Sequence, residues 1–242
     1  MIKEIIGIVV NEIDYKESSK IVNILTDDGK LIGAIAKGAK KIKSKVSGIG
    51  KLTYAKFQIN YRDNLSTILE YDTINKFKNI KNDIVKMSYS IFITELSYKV
   101  YEHSNNKNIY ELYKNSLLKI EENFDPLVIT NILELKMLDY LGIRPVIDSC
   151  VSCGNTNDIV TISSYKGGYL CKNCLNNEPI TTDKTIKLIR MFYYVDVSKI
   201  TKLDISENVK KEINNFIDDY YDRYSGLYIK SKDFINTLNK IA

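Results

Sequence analysis

The chain has 242 residues, 44% of them apolar and 27% charged, with three prolines and no low-complexity run. A chain of that length and make-up buries a genuine core, as one large domain or two to three small ones, and reads as an ordinary soluble protein. Its formal charge of +5 lies entirely in residues 1–80, which hold 14 Lys/Arg against 9 Asp/Glu, so the remainder is balanced.

The stretch Met1-Ile2-Lys3-Glu4-Ile5 carries an acid among its first residues, and no long apolar segment follows. We therefore expect neither a signal peptide nor a membrane span, and a cytoplasmic protein with reduced thiols. Residues 1–75 read as short strands. Lys3 to Ile13 is β-branched and apolar, Lys20 to Thr26 follows, and Asp27-Asp28-Gly29 turns the chain into Lys30 to Lys37. Phe57, Ile59 and Tyr61 alternate with Lys56, Gln58, Asn60 and Arg62, the period of a half-buried strand. Asp63-Asn64 then leads into a fifth strand, Ser66 to Ile74. Five strands without a long helix suggest a small closed barrel of OB type, with an SH3-like barrel as the alternative.

From Asn82 the period becomes helical. Ile84, Met87, Ile91, Leu96 and Val100 form a stripe ending near His103, and Ile109 to Ile120 is a second helix. A third is expected to be capped by Asp125, to take Pro126 in its first turn and to stop at Gly142. Thr182 or Asp183 opens a fourth helix running to about Val195. Ser206 opens a fifth that Gly226 closes, and Ser231 begins a last one with Phe234, Ile235 and Leu238 facing inward.

Between the third and fourth helices stand all four cysteines. They form two C-x-x-C pairs, Cys150/Cys153 and Cys171/Cys174, with seventeen residues between the pairs. That spacing is a zinc ribbon's: each turn aims two thiolates at one point, and four close a tetrahedral shell with no position for a substrate water. The metal is then structural, and Gly167-Gly168 suits a hairpin return to the second pair. Two disulfides are the competing reading. The expected fold class is α+β and multi-domain: an N-terminal OB-fold β-barrel (1–80), then an all-α domain (81–145 and 181–242) with an inserted four-cysteine zinc ribbon (146–180).

The chemistry of an enzyme is missing from the sequence. There is one histidine, His103, and neither a GxxxxGK[ST] nor a GxGxxG loop follows a strand. Asp218, Asp219 and Asp222 read as a solvated helix face, so no catalytic residue is assigned and a nuclease reading has little support. A binding surface remains. No acid lies between Asp28 and Asp63, an interval holding Lys30, Lys37, Lys40, Lys41, Lys43, Lys45, Lys51, Lys56 and Arg62. A single-sign block attracts polyanions, with a solvated lysine loop as the alternative. We assign nucleic-acid contacts to Lys37, Lys40, Lys41, Lys43, Lys45, Lys51, Lys56 and Arg62, with Tyr54 as a base-stacking ring. Phe57, Ile59 and Tyr61 alternate as a barrel core does.

Several segments, in this order, carry a resemblance: Tyr15-Lys16-Glu17-Ser18-Ser19, Ala36-Lys37-Gly38-Ala39-Lys40-Lys41 with Lys43-Ser44, and Leu141-Gly142-Ile143-Arg144-Pro145 running into Cys150-x-x-Cys153-Gly154. Gly167-Gly168 before Cys171-x-x-Cys174, Tyr220-Tyr221-Asp222-Arg223-Tyr224 and Leu227-Tyr228-Ile229-Lys230-Ser231 follow. Together they resemble the RecO family of bacterial recombination and repair mediators along nearly the whole chain. The resemblance implies an OB-fold, a helical domain and a zinc-binding insertion. It also implies binding of single- and double-stranded DNA, strand annealing, and partnership with RecR and with the acidic tail of the single-strand-binding protein SSB, to help load RecA near the nucleoid. Lys37, Lys40, Lys41 and Lys43 fall on the family's DNA-linked basic segment. Lysines stand where the family often has arginines, which implies looser phosphate contacts. For Arg144 and Arg223 a structural salt bridge is expected. An RNA-binding module for tRNA or rRNA is the competing function, because such barrels rarely declare their sugar.

Overall fold

The structure is a computed structural model that describes residues 1–241, with side chains described through residue 235 and at residue 237. It divides into two compact units, residues 1–123 with 229–242, and residues 124–228.

In the first unit, β1 (Ile2–Tyr15), β2 (Ser19–Thr26), β3 (Leu31–Ala36), β4 (Tyr54–Asn60) and β5 (Ser66–Asn75) close a barrel in the order β1-β2-β3-β5-β4. All pairings are antiparallel except β3 with β5, which runs parallel from Ala34↔Ser66 to Ala36↔Ile68. That topology is the OB-fold's. The alternation read in the sequence is the alternation of the walls: Ala55, Phe57 and Ile59 of β4 are fully buried, while Lys56 between them faces water. Val9, Val22, Ile24, Ala34, Ala36 and Ile68 complete the lining. Each large aliphatic side chain among them contributes about 1.5–3 kcal/mol relative to exposure.

The glycine-lysine stretch after β3 is not an open loop. Ala39, Val46 and Ile49 belong to the same buried cluster as the barrel walls and plug its end. The backbone between them is pinned by short-range bonds, Lys41 N to Gly38 O (2.9 Å), Ser44 N to Lys41 O (3.1 Å) and Gly48 N to Ala39 O (3.0 Å). Positive φ at Gly38 (79°) and Gly48 (72°) makes these turns possible without strain.

Three helices follow: α1 (Lys78–Lys81), α2 (Ile84–Ser104) and α3 (Asn108–Glu121). Asp83 caps α2, its carboxylate accepting from Val85 N and Lys86 N, and Asn105 ends it in the left-handed region. The expected stripe is only partly inward. Leu96 and Val100 are buried with Phe92 and Ile93, but Ile84 is 61% exposed and Met87 and Ile91 are half-buried. The core instead takes in the small polar residues Ser90, Thr94 and Ser97, two of which, Ser90 and Ser97, have buried hydroxyls without a partner among the described residues.

In the second unit, α4 (Pro126–Tyr140) starts as read, with Asp125 accepting from Leu127 N and Val128 N, and Gly142 at φ 72° just after its end. The strands β6 (Ile159–Ser163) and β7 (Gly168–Cys171) form a hairpin. Gly168 is obligatory there, because a Cβ would lie 2.2 Å from Val146 O. Next come α5 (Asp183–Tyr194), capped by Thr182, and α6 (Glu207–Tyr224), which buries Val209, Ile213, Phe216, Ile217 and Tyr220. Finally α7 (Lys230–Ile241) returns the chain to the first unit. Ile235 is buried as expected, whereas Phe234 is half-exposed, because α7 turns it toward a groove rather than the core. The side chain of Leu238 lies outside the described residues. Among the described residues no helix is long and apolar enough to cross a membrane.

Candidate metal centre and nucleic-acid interface

The four cysteines converge. Cys150 and Cys153 precede the β6–β7 hairpin, Cys171 ends it and Cys174 follows in a short turn, and all four sulfurs lie within 4.8 Å of one another. None is in a disulfide. The first turn is tied by Gly154 N to Cys150 O (2.8 Å) and the second by Leu175 N to Cys171 O (3.0 Å). Burial pushes the Cys150 thiol up, but the backbone N–H groups of Cys171, Cys153 and Ser152 outweigh it and bring it down to about 6. Cys174, hydrogen-bonded by Cys153 and Cys171, is pushed the other way. Four thiols this close do not all ionise beside one another unless a cation sits between them, so the donor set fits a soft, tetrahedral metal. The cluster can hold a metal ion.

The cations of the basic segment fall into two groups. Lys40 Nζ is 2.8 Å from Asp14, Lys45 Nζ 2.7 Å from Glu70 and Lys56 Nζ 2.8 Å from Glu4. Bonding to Lys40 holds the Asp14 carboxyl below its ordinary value, and bonding to Glu70 raises Lys45. Lys30 is likewise held by Asp28 (2.5 Å). Among the described residues no ion pair holds Lys37, Lys41, Lys43, Lys51 or Arg62. The block that is continuous in sequence is thus interrupted in space by three carboxylates from β1 and β5. Lys37, Lys41 and Lys43 remain as a free cluster on the plugged loop, all exposed. Lys51 lies apart from it, on the rim of a groove.

The aromatic rings are mostly occupied. Tyr54 stacks on Phe77 with centroids 6.2 Å apart. Phe57 is fully buried and meets Tyr71 at 6.0 Å. Tyr61 packs against the barrel core and carries Lys3 Nζ over its ring at 3.8 Å. What the barrel turns outward near the free lysines is aliphatic. Ile13 pairs with Ile21, Ile21 with Ile35 and Ile35 with Thr67, a cross-strand row over four strands in which Ile13 is 58% exposed. Lys37 follows Ile35 by two residues, just past the end of β3.

A groove of about 550 Å³ in the same unit is lined by Met87, Ile91 and Phe234, with Lys51, Lys99 and Lys230 among its charged residues. Glu95 stands in it but is spent on α7, accepting from Lys230 N (3.0 Å), Ser231 N (3.0 Å) and Ser231 Oγ (2.7 Å). The sequence does not locate this groove. The exposed apolar half of α2 was its signal, folded into a single apolar stripe with Leu96 and Val100.

Arg144 forms the expected salt bridge, to Asp148 at 2.8 Å, and lies over the Tyr193 ring at 4.4 Å. Arg223 sits over Tyr165 at 5.7 Å instead. His103 is exposed near the end of α2.

These features define a class: an OB-type barrel followed by helices, with a four-cysteine metal-type cluster in the second unit. Family profiles described as "Recombination protein O N terminal" and "Recombination protein O C terminal" match residues 1–77 and 81–233. The chain is 34% identical over 241 residues to the DNA repair protein RecO of Halalkalibacterium halodurans, covering 98% of this chain and 95% of that one. It is 35% identical to the DNA repair protein RecO of Bacillus pumilus, covering 97% and 94%, and 34% identical, at the same coverage, to that of Listeria innocua. The chain belongs to the RecO family.

Proposed function

We propose that this chain is a DNA-binding mediator of recombinational repair that makes and breaks no covalent bond. It binds single- and double-stranded DNA, anneals complementary strands and, with RecR and SSB, helps load RecA. The observation that carries this reading is the free lysine cluster on the plugged loop of an OB barrel, Lys37, Lys41 and Lys43, in a chain of the RecO family. Two strands neutralised on one cationic surface repel each other less, and their pairing speeds up. Lysines act as point charges, so binding is sequence-tolerant. Arg62 adds a further cation, unpaired among the described residues, whereas Lys40, Lys45 and Lys56 contribute only where Asp14, Glu70 and Glu4 release them.

Residues 1–80 serve as the nucleic-acid-binding domain, 81–145 and 181–242 as the helical domain, and 146–180 as the metal insertion. The cysteines hold one structural Zn²⁺. The acidic, apolar tail of SSB occupies the groove between α2 and α7, where Met87, Ile91 and Phe234 receive its apolar side chains and Lys51, Lys99 and Lys230 its carboxylates. The protein works in the cytoplasm, on the nucleoid. Annealing of complementary oligonucleotides coated with SSB tests DNA and partner together: the chain should accelerate pairing well above the spontaneous rate, and no acceleration would sink the reading. Competition between matched DNA and RNA oligonucleotides separates it from an RNA-binding role.

A further inference from the structure

We propose that Ile42 is a wedge that enters between neighbouring bases of a bound single strand while Lys41 and Lys43 hold the phosphates on either side. The proposal rests on the nucleic-acid-binding reading above and adds to it a residue and a mode of contact. Ile42 is 93% exposed, the most exposed large hydrophobic side chain among the described residues. Nothing in the fold uses it: the apolar residues of its loop that fill the barrel are Ala39, Val46 and Ile49. Its immediate neighbours, Lys41 and Lys43, are exposed and have no carboxylate partner among the described residues, whereas the lysines further out, Lys40 and Lys45, are paired with Asp14 and Glu70. The available charge of the loop is therefore centred on the isoleucine.

The tip is also held in place. Ser44 N donates to Lys41 O (3.1 Å) and Ser47 N to Ser44 O (3.0 Å), on a base fixed by the buried plug. A contact group presented rigidly loses little freedom on binding. An aliphatic side chain flanked by cations is the equipment of proteins that part stacked bases: the apolar group enters the stack, and the phosphate contacts offset the unstacking cost, which is lower in an unpaired strand than in a duplex. With no polar atom, the Ile42 side chain reads no base edge, so the contact is sequence-tolerant.

The test uses the full chain and a single-stranded oligonucleotide carrying 2-aminopurine, whose fluorescence rises when it unstacks. Wild-type protein should raise the signal. Ile42→Ser should lose most of that rise and bind about fivefold more weakly, the share expected from half-burying one isoleucine side chain, with its salt dependence unchanged. Ile42→Leu should restore both. Because the side chain is exposed, these variants fold as the wild type does. If Ile42→Ser brightens the probe as fully as wild type, the wedge is overturned while salt-dependent binding leaves the charge reading standing. If the wild type itself shows no salt-dependent binding, both fall.

Discussion

The division of the basic segment into free and paired cations makes a quantitative prediction about salt. If Lys37, Lys41, Lys43 and Arg62 each meet one phosphate of a single strand, log K should fall with log salt at a slope of about −2.8, from roughly −0.7 per contact. Between about 50 and 200 mM salt, affinity then drops about 50-fold. Replacing Lys37, Lys41 and Lys43 with Ala leaves one contact, a slope of about −0.7 and a drop of about threefold. The carboxylates can be tested in the opposite direction. Glu4, Asp14 and Glu70 hold Lys56, Lys40 and Lys45 in solvent-screened pairs that contribute little to the fold. Glu4→Gln, Asp14→Asn and Glu70→Gln together therefore leave stability nearly unchanged and release three more ammonium groups. Binding should tighten at low salt, and the slope should steepen toward about −4.9. Fluorescence anisotropy of a labelled oligonucleotide, titrated over a series of salt concentrations, measures all three proteins. An Ala variant with the wild-type slope, or amide variants that bind no more tightly, would refute the assignment of phosphates to this loop.

Other outcomes follow from the remaining sites. Protein purified without added zinc should carry one zinc per chain by elemental analysis, and Cys150→Ser should lose it along with the ordered β6–β7 hairpin; a ratio far below one removes the metal assignment. Met87→Asp or Lys99→Glu should weaken binding of an SSB-tail peptide about thirtyfold by calorimetry, roughly the loss expected for one hot-spot contact of about 2 kcal/mol, without altering DNA affinity. Burial pushes the Glu95 carboxyl up, but Ser231 Oγ and the amides of Ser231 and Lys230 outweigh it and bring it below its ordinary 4.5. The folded state thus binds fewer protons than the unfolded one, so this stabilisation is complete above that value and fades as pH falls through the lower folded one. The protection factors of the α7 amides, with the intrinsic pH dependence of exchange divided out, should fall first on acidification. Glu95→Gln should remove that pH dependence and cost about 1 kcal/mol at neutral pH, a hydrogen-bond loss discounted for the solvent that screens a half-exposed carboxylate.

Much of the fold was legible because its signals are local. The alternation through Phe57 and Ile59 reports a wall with one buried face, and both side chains are fully buried. Asp125-Pro126 and Gly142 mark the ends of α4 by hydrogen bonding and φ alone. The cysteine spacing reports a convergence that the chain cannot avoid once Gly168 lets the hairpin pack against Val146. The α2 stripe misled for a related reason. Periodicity gives the direction of a face but not its occupant, and half of that apolar face lines a groove while Ser90, Thr94 and Ser97 go inside.

The charge pattern was the least legible feature, because pairing is set by strand register. Ile6 lies opposite Lys56, which brings Glu4 two positions along β1 within reach of its ammonium group. Glu70 reaches back 25 residues to Lys45, and Asp14 meets Lys40 only because the loop folds onto the barrel end. A one-residue slip in β1 would turn Glu4 to the opposite face and free Lys56. The barrel therefore does more than carry the basic loop: its register selects which lysines are neutralised and leaves the unpaired ones on both sides of Ile42. A segment that reads as uniformly cationic becomes a tip with two free charges around one aliphatic side chain, a shape that a composition count does not contain.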